Sequence, residues 1–457
     1  MKNRTVRFIQ LQNNNWKFMH GDFPDAKDFC YEDSTWYDIG IPHSFGIPYF
    51  QENEFYVGYG CYRKIVYVEE AWIGKKLSLE FQGAFQDAEV YVNGQLAGVH
   101  KGGYTAFEID ITPFAVAGEN LLFVRLNNNW NPRLAPRAGE HVFNGGIYRD
   151  VSLLITEPVH ISWYGTFITT PAVSKKEAVI DISTEVKNET ESEVTCRLVS
   201  IIEYKGEQIV RASEVKQLHA KSQMVFHRSD IIQNPKLWHP DTPELYVLKS
   251  FVYLGEELFD SYETIFGIRW FQFTSDKGFF LNGEHYDING ANVHQDHAGW
   301  SDAVTHSGIH RDVKMVKDCG MNFIRGSHYP HHTVFAEECD KQGIYSVGKL
   351  FLGDRGPKEE GYWTSSGYPI KEEDQLEFEE SCIRTLKDMI RTNRNHPSII
   401  VWSMCNEPFF STAEVMDKAK NLVKRLVMVS HEEDPTRPAA VGGAQRGVLI
   451  PWGYRGV

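Results

Sequence analysis

The pair best suited to proton transfer is Asn406-Glu407, followed by Pro408 and preceded by the apolar run Ile399-Ile-Val-Trp-Ser-Met404. Such a run reads as a buried strand, and functional side chains of parallel sheets gather where strands end. A carboxylate there is half-desolvated, which lifts its pKa toward the range of a general acid. The pair also reads as ordinary local structure, with Asn406 capping the next helix and Glu407 in its first turn. Two other strand-like runs end in polar groups: Gly290-Ala-Asn292-Val-His294-Gln-Asp-His297, and Arg325-Gly-Ser-His328-Tyr329-Pro330. Two histidines beside Asp296 invite a metal reading. The segment is loop-like, however, and neutral donors to a sugar hydroxyl are the more natural role. An arginine just inside a strand end holds a carboxylate in place, and Glu407 is the expected partner of Arg325.

The elements that must position these groups follow from periodicity. Residues 1–157 read as all-β, with short apolar runs such as Leu77–Phe81 and Leu121–Leu126 between turn signals. Ala88-Glu-Val-Tyr-Val92 meets Asn93-Gly94, a strong hairpin signal, and Gly102-Gly103 and Gly145-Gly146 mark further turns. The spacing predicts a jelly-roll sandwich. Residues 158–268 are β again; Val179–Val186 alternates between a buried and a solvated face, and the length suits an immunoglobulin-like sandwich. From 269 to 457 strands alternate with helices. Ile309, Val313 and Val316 mark one helix closed by Gly320, and Gly343 stops a second. Leu376, Ile383, Leu386 and Ile390 mark the apolar face of a third, and Leu422, Leu426 and Val429 that of a fourth. Counting a strand between His285 and His294, five strands precede the last residue. A parallel sheet covered on both faces is expected, as an open doubly wound sheet or a (β/α)₈ barrel. No glycine-rich nucleotide fingerprint follows any strand.

Composition narrows the partners. The net charge of −14 argues against nucleic acid or an anionic membrane surface as partner. No apolar run is long enough to span a bilayer, and the N-terminus lacks the features of a signal peptide. The seven cysteines are odd in number and scattered, which suits buried free thiols in a reducing compartment. A cytoplasmic protein is expected. The aromatic content, with 11 Trp, suits sugar stacking but equally a β-rich core.

Taken together, the ordered motifs resemble glycoside hydrolase family 2, the family of β-galactosidases, β-glucuronidases and β-mannosidases. They are Gly145–Asp150, Leu237–Pro240, Phe266–Arg269, Gly278–Gly283, Gly290–Gly299, Asn322–Pro330, Asn395–Ser403, Asn406–Pro408 and Asp434–Pro438. The resemblance implies a jelly-roll sugar-binding domain, an immunoglobulin-like domain and a (β/α)₈ TIM barrel with two catalytic glutamates. By motif, Glu407 takes the place of the acid/base and Asn406 that of the partner of the sugar 2-hydroxyl. His294 and His328 resemble substrate contacts, and Arg325 the arginine that orients the carboxylates. Glu140 stands where relatives place an aspartate reaching in from the first domain. The implied activity is hydrolysis of terminal β-D-glycosides, β-galactosides first, with β-glucuronides or β-mannosides as the alternatives. A catalytically inactive carbohydrate-binding protein is the reading from another class. No cofactor is called for, and a homo-oligomer is compatible with the sequence. Some relatives have a Glu-x-His magnesium site after the third strand. This chain has Val347-Gly-Lys-Leu-Phe-Leu-Gly-Asp354 there, so the metal is not carried over; Gly326 also replaces a larger residue.

A retaining mechanism needs two carboxyls about 5–5.5 Å apart. In the resembled family the nucleophile follows the seventh strand, so this sequence leaves that role vacant and reads as truncated within the barrel. Codons can be chosen for Ile450–Val457 that, read one base later, give Phe-Leu-Gly-Asp-Ile-Ala-Gly-Tyr, a family-like continuation. A shifted reading frame is therefore expected, and five strands alone are expected to aggregate through open edges.

Overall fold

The computed structural model describes residues 6–47, 56–135, 145–349, 367–406, 408 and 411–442, the side chains of 347–349 excepted. Ten strands before residue 157 form two antiparallel sheets. The four-stranded one runs Phe8–Leu11, Val151–Thr156, Lys76–Phe81, Phe107–Asp110. The six-stranded one has Tyr59–Val68 and Gly118–Asn127 at its centre. Apolar residues alternate inward on both, so Trp16, Tyr62, Phe81, Val124 and Leu153 share one dry core. The hairpin at Asn93-Gly94 joins Asp87–Val92 to Gln95–Lys101, with φ of +52° and +81° at the two turn residues. That left-handed pair is why the turn needs this dipeptide.

Seven longer strands form the second sandwich, three in one sheet and four in the other. In Glu177–Asn188 every second residue is buried. Ile180 and Ile182 meet Ile202 and Leu248 across the gap, while Val186 meets Cys196 and Val252. Arg7 ties the first sandwich to this one through a two-pronged contact with the buried Asp260, at 2.9 and 2.7 Å.

The third region opens with an antiparallel hairpin, Phe271–Thr274 with Gly278–Leu281, and then alternates. Its elements are β1 (Gly290–Val293), α1 (His306–Asp318), β2 (Phe323–Gly326), α2 (Thr333–Gln342), β3 (Tyr345–Lys349), α3 (Glu372–Asn393), β4 (Ile399–Asn406), α4 (Met416–Glu433) and β5 (Ala439–Gly442). All five strands are parallel and lie side by side in chain order. A doubly wound sheet reverses its order at a switch point, whereas a barrel does not. This is the first part of a (β/α)₈ barrel. Trp238, Phe279, Leu281, Tyr345 and Ile400 plug the end where the strands begin.

Two expectations need correction. Leu376 does not belong to the buried face of α3 but is 69% exposed, because the helix packs through Phe378, Cys382, Leu386, Met389 and Ile390. The thiols are free, but Cys30 and Cys319 are exposed rather than buried. No helix among the described residues is long and apolar enough to cross a membrane.

Candidate active site

Site geometry begins with strand register. Parallel pairing sets Asn292 of β1 beside Arg325 of β2, and the Arg325 guanidinium donates to Asn292 Oδ1 at 3.2 Å and to Ser327 Oγ at 3.3 Å. It also contacts His328 Nδ1 at 3.2 Å and donates to Asn406 Oδ1, at the end of β4, at 2.8 Å. A guanidinium only donates, so Nδ1 of His328 must hold its lone pair; the neutral ring then carries its proton on Nε2. The ring of His294 stands edge-on to that of His328 with 5.0 Å between centroids, and His294 Nδ1 lies 3.4 Å from the Tyr329 hydroxyl. The structure thus gathers Asn406, Arg325, His328 and His294 around one end of the sheet.

Asn406 reaches this place through an irregularity. The pairing of β4 with β5 shifts register between Ser403 and Asn406. Asn406 is 2% exposed, and α4 begins only at Met416. Glu407 and Glu140 lie outside the described residues, as does any pairing of Arg325 with Glu407. Among the described contacts Arg325 serves two amides, a hydroxyl and an imidazole. The metal reading of His294, Asp296 and His297 does not fit, because His297 turns away to pair with Asp312 at 2.5 Å and to stack on Trp300.

Sequence reasoning missed the residues that bring the first sandwich onto this end. Arg149 is 3% exposed, and its guanidinium donates to Gln82 O at 3.2 Å and Tyr104 O at 2.8 Å. The same group reaches Gln295 Oε1 at 2.9 Å and Pro330 O at 2.8 Å in the loops after β1 and β2. Tyr104 stacks on Tyr329 with centroids 4.5 Å apart. Burial, together with the Arg149 cation, pulls His331 down to about 3, so this ring is neutral where it meets Ser327 O. Gly145–Asp150 is visible as a motif, but no spacing within it announces a partner some 150 residues onward in sequence.

At the opposite end two buried arginines hold the start of β4. Arg269 donates to Pro397 O and Ile399 O, and Arg437 to Ile399 O and His396 O. Burial, reinforced by the neighbouring Arg437 cation, pulls Arg269 down to about 9. Asp434 balances Arg437; burial pushes its carboxyl up, but Arg437 and donors from Thr436 and Trp402 outweigh this and leave it below the ordinary value.

Comparison with known proteins now bears on this geometry. Residues 18–158 match the model of "Glycosyl hydrolases family 2, sugar binding domain", 159–269 that of "Glycosyl hydrolases family 2", and 273–449 that of "Glycosyl hydrolases family 2, TIM barrel domain". A β-galactosidase of Bacteroides ovatus is 32% identical, covering 94% of this chain and 53% of the relative. A β-glucuronidase of Bacteroides fragilis is 31% identical, covering 96% and 61%. The crystal structure of a Bacteroides uniformis β-glucuronidase superposes with a TM-score of 0.87 at 33% identity, over 95% of this chain and 52% of that one. The chain therefore spans between half and about three-fifths of the length of these relatives. With three successive models of one family matched in order along nearly the whole sequence, the chain belongs to glycoside hydrolase family 2.

Proposed function

We propose that the protein hydrolyses terminal β-D-glycosides with retention of configuration, Glu407 serving as acid/base. The observation that supports this best is the placement of Asn406, the residue before Glu407, against Arg325 with His328 and His294 beside it. In this reading Asn406 meets the sugar 2-hydroxyl, His294 and His328 contact other hydroxyls, and Arg325 orients the carboxylates. Glu140 reaches in from the first domain. Glu407 gives its proton to the glycosidic oxygen as the bond from that oxygen to the anomeric carbon breaks and a second carboxylate attacks the carbon. The Glu407 carboxylate then takes a proton from water, whose oxygen displaces the second carboxylate. No residue of the chain is assigned the nucleophile role. The reading takes 1–157, 158–268 and 269–457 as its three domains.

β-Galactosides are the first substrate class. β-Glucuronides are a second reading, favoured by the names of several relatives, among them the Bacteroides fragilis enzyme. The test is a panel of nitrophenyl β-D-galactoside, glucuronide and mannoside with the full-length protein. Turnover of one of them, lost in Glu407→Ala and restored with added azide as the β-glycosyl azide, is the expected result. Absence of turnover on all three, with sugar binding retained, would leave the non-catalytic reading.

A further inference from the structure

Asp150, His306 and His332 come from three distant places. Asp150 immediately precedes the strand Val151–Thr156, His306 is the first residue of α1, and His332 is the N-cap of α2. The seating of the first sandwich on the barrel brings one potential ligand atom of each within 4.8 Å of the other two. Asp150 Oδ2 lies 2.7 Å from His306 Nε2, and its other oxygen accepts from Asn13. The rings of His306 and His332 stand 5.2 Å apart at 77°. Among the described residues this is the one trio of His, Cys, Asp or Glu with such spacing.

His332 makes the trio more than an ion pair. It is 7% exposed; its Nδ1 accepts the Val334 N–H at 3.1 Å, while its Nε2 is fully buried and meets no hydrogen-bond partner. A buried polar atom left unmet is uncommon, because water has been removed and nothing has replaced it. Burial and the Arg149 cation keep the ring neutral, as ligation requires. The side chain of His306 is 54% exposed and gives solvent a way in. Glu337 and Glu338 add negative potential at His306, and Arg149 opposes a cation at His332.

We propose that Asp150, His306 and His332 bind a divalent transition-metal ion of the zinc class, which clamps the first sandwich to the helices behind β1 and β2. Two imidazoles and a carboxylate suit zinc, nickel or cobalt, whereas calcium and magnesium take oxygen ligands. Bonds of roughly 2.0–2.2 Å at tetrahedral angles set ligand atoms about 3.3–3.6 Å apart, so the trio, now within 4.8 Å, closes on binding. As Nε2 of His332 takes the ion its proton moves to Nδ1, and the contact with Val334 is given up. His306 coordinates through Nε2, the nitrogen that now faces Asp150; the proton there leaves to solvent, Nδ1 carries the one that keeps the ring a neutral ligand, and water completes the shell.

The full chain, stripped with a chelator, would be titrated with zinc chloride and then calcium chloride by calorimetry and thermal melting, with cobalt absorption as a third readout. One zinc ion per chain, bound on the order of micromolar or tighter, a raised melting temperature and a tetrahedral cobalt spectrum are expected. His306→Gln, at a half-exposed side chain, should weaken zinc at least about tenfold, and His332→Gln likewise. Absence of saturable zinc binding, equal affinity in wild type and His306→Gln, or calcium binding as tight as zinc would overturn the proposal.

Discussion

Arg325 is held to its role by geometry that another cation does not reproduce. One guanidinium nitrogen serves Asn292, Ser327 and His328 while the other reaches Asn406. A lysine offers a single point charge on a flexible stem and would satisfy one side or the other. Arg325→Lys in the full-length protein should lower kcat/KM by about 100-fold, equivalent to roughly 2.7 kcal/mol, with little change in melting temperature. Steady-state kinetics on the glycoside panel checks it. Gly343 gives a stability counterpart. It ends α2 at φ +68°, and a Cβ there would stand 2.0 Å from Pro240 O. Left-handed backbone alone costs a side chain roughly 1–2 kcal/mol, and here the overlap with Pro240 adds to it. Gly343→Ala should therefore lose more than about 2 kcal/mol of stability, read by denaturant unfolding.

At the scale of the element, β4 is set from both ends. Its start is gripped by Arg269 and Arg437. Its middle is fixed by Trp402, whose indole N–H donates to Asp434 Oδ2 at 2.8 Å, and its end meets Arg325 through Asn406. Asp434→Asn would leave Arg437 buried without its counter-charge, a loss of roughly 3–5 kcal/mol, visible in the unfolding of the barrel region through Trp402 fluorescence. The pH dependence has a definite sign. The carboxyl of Asp434 is held below its ordinary 3.8, so its stabilisation is complete above that value and is lost as pH falls through the folded-state value. The stability gap between wild type and Asp434→Asn should be constant near neutrality and shrink in strong acid. A gap that widens on acidification would contradict this.

For the molecule as a whole, the two sandwiches engage opposite ends of the sheet. The second sandwich meets the ends where strands begin; Asn395 exchanges hydrogen bonds with Thr166 and Ile168, and Arg391 of α3 pairs with Glu185 at 2.6 Å. The first meets the loops where strands end, through Arg149, Tyr104 and Tyr329. Arg149→Met keeps the bulk and removes all four donated bonds. Amide hydrogen exchange in the loops after β1 and β2 should then accelerate together, while exchange in the second sandwich stays unchanged. Protection that persists in both loops would show that Arg149 does not hold them.

The sequence by itself determined the order and type of the elements, because each rests on local periodicity and turn chemistry. Val179–Val186 alternates as a strand must, Asn93-Gly94 supplies the two left-handed residues of its hairpin, and Gly343 ends its helix in the same conformation. The polar residues at strand ends were legible too: Asn406 closes an apolar run, register sets Asn292 beside Arg325, and the Arg325 side chain reaches Asn406. Leu376 misled because helical spacing places a residue on a face without saying how far the neighbouring elements extend. Only the tertiary structure decided between a barrel and a doubly wound sheet, since strand order depends on long-range pairing. It alone brought Arg149 to Gln295 and Pro330, and Asp150 to His306 and His332. Those contacts join residues more than a hundred positions apart, where neither period nor spacing carries a signal, and they exist because one folded layer is seated upon another.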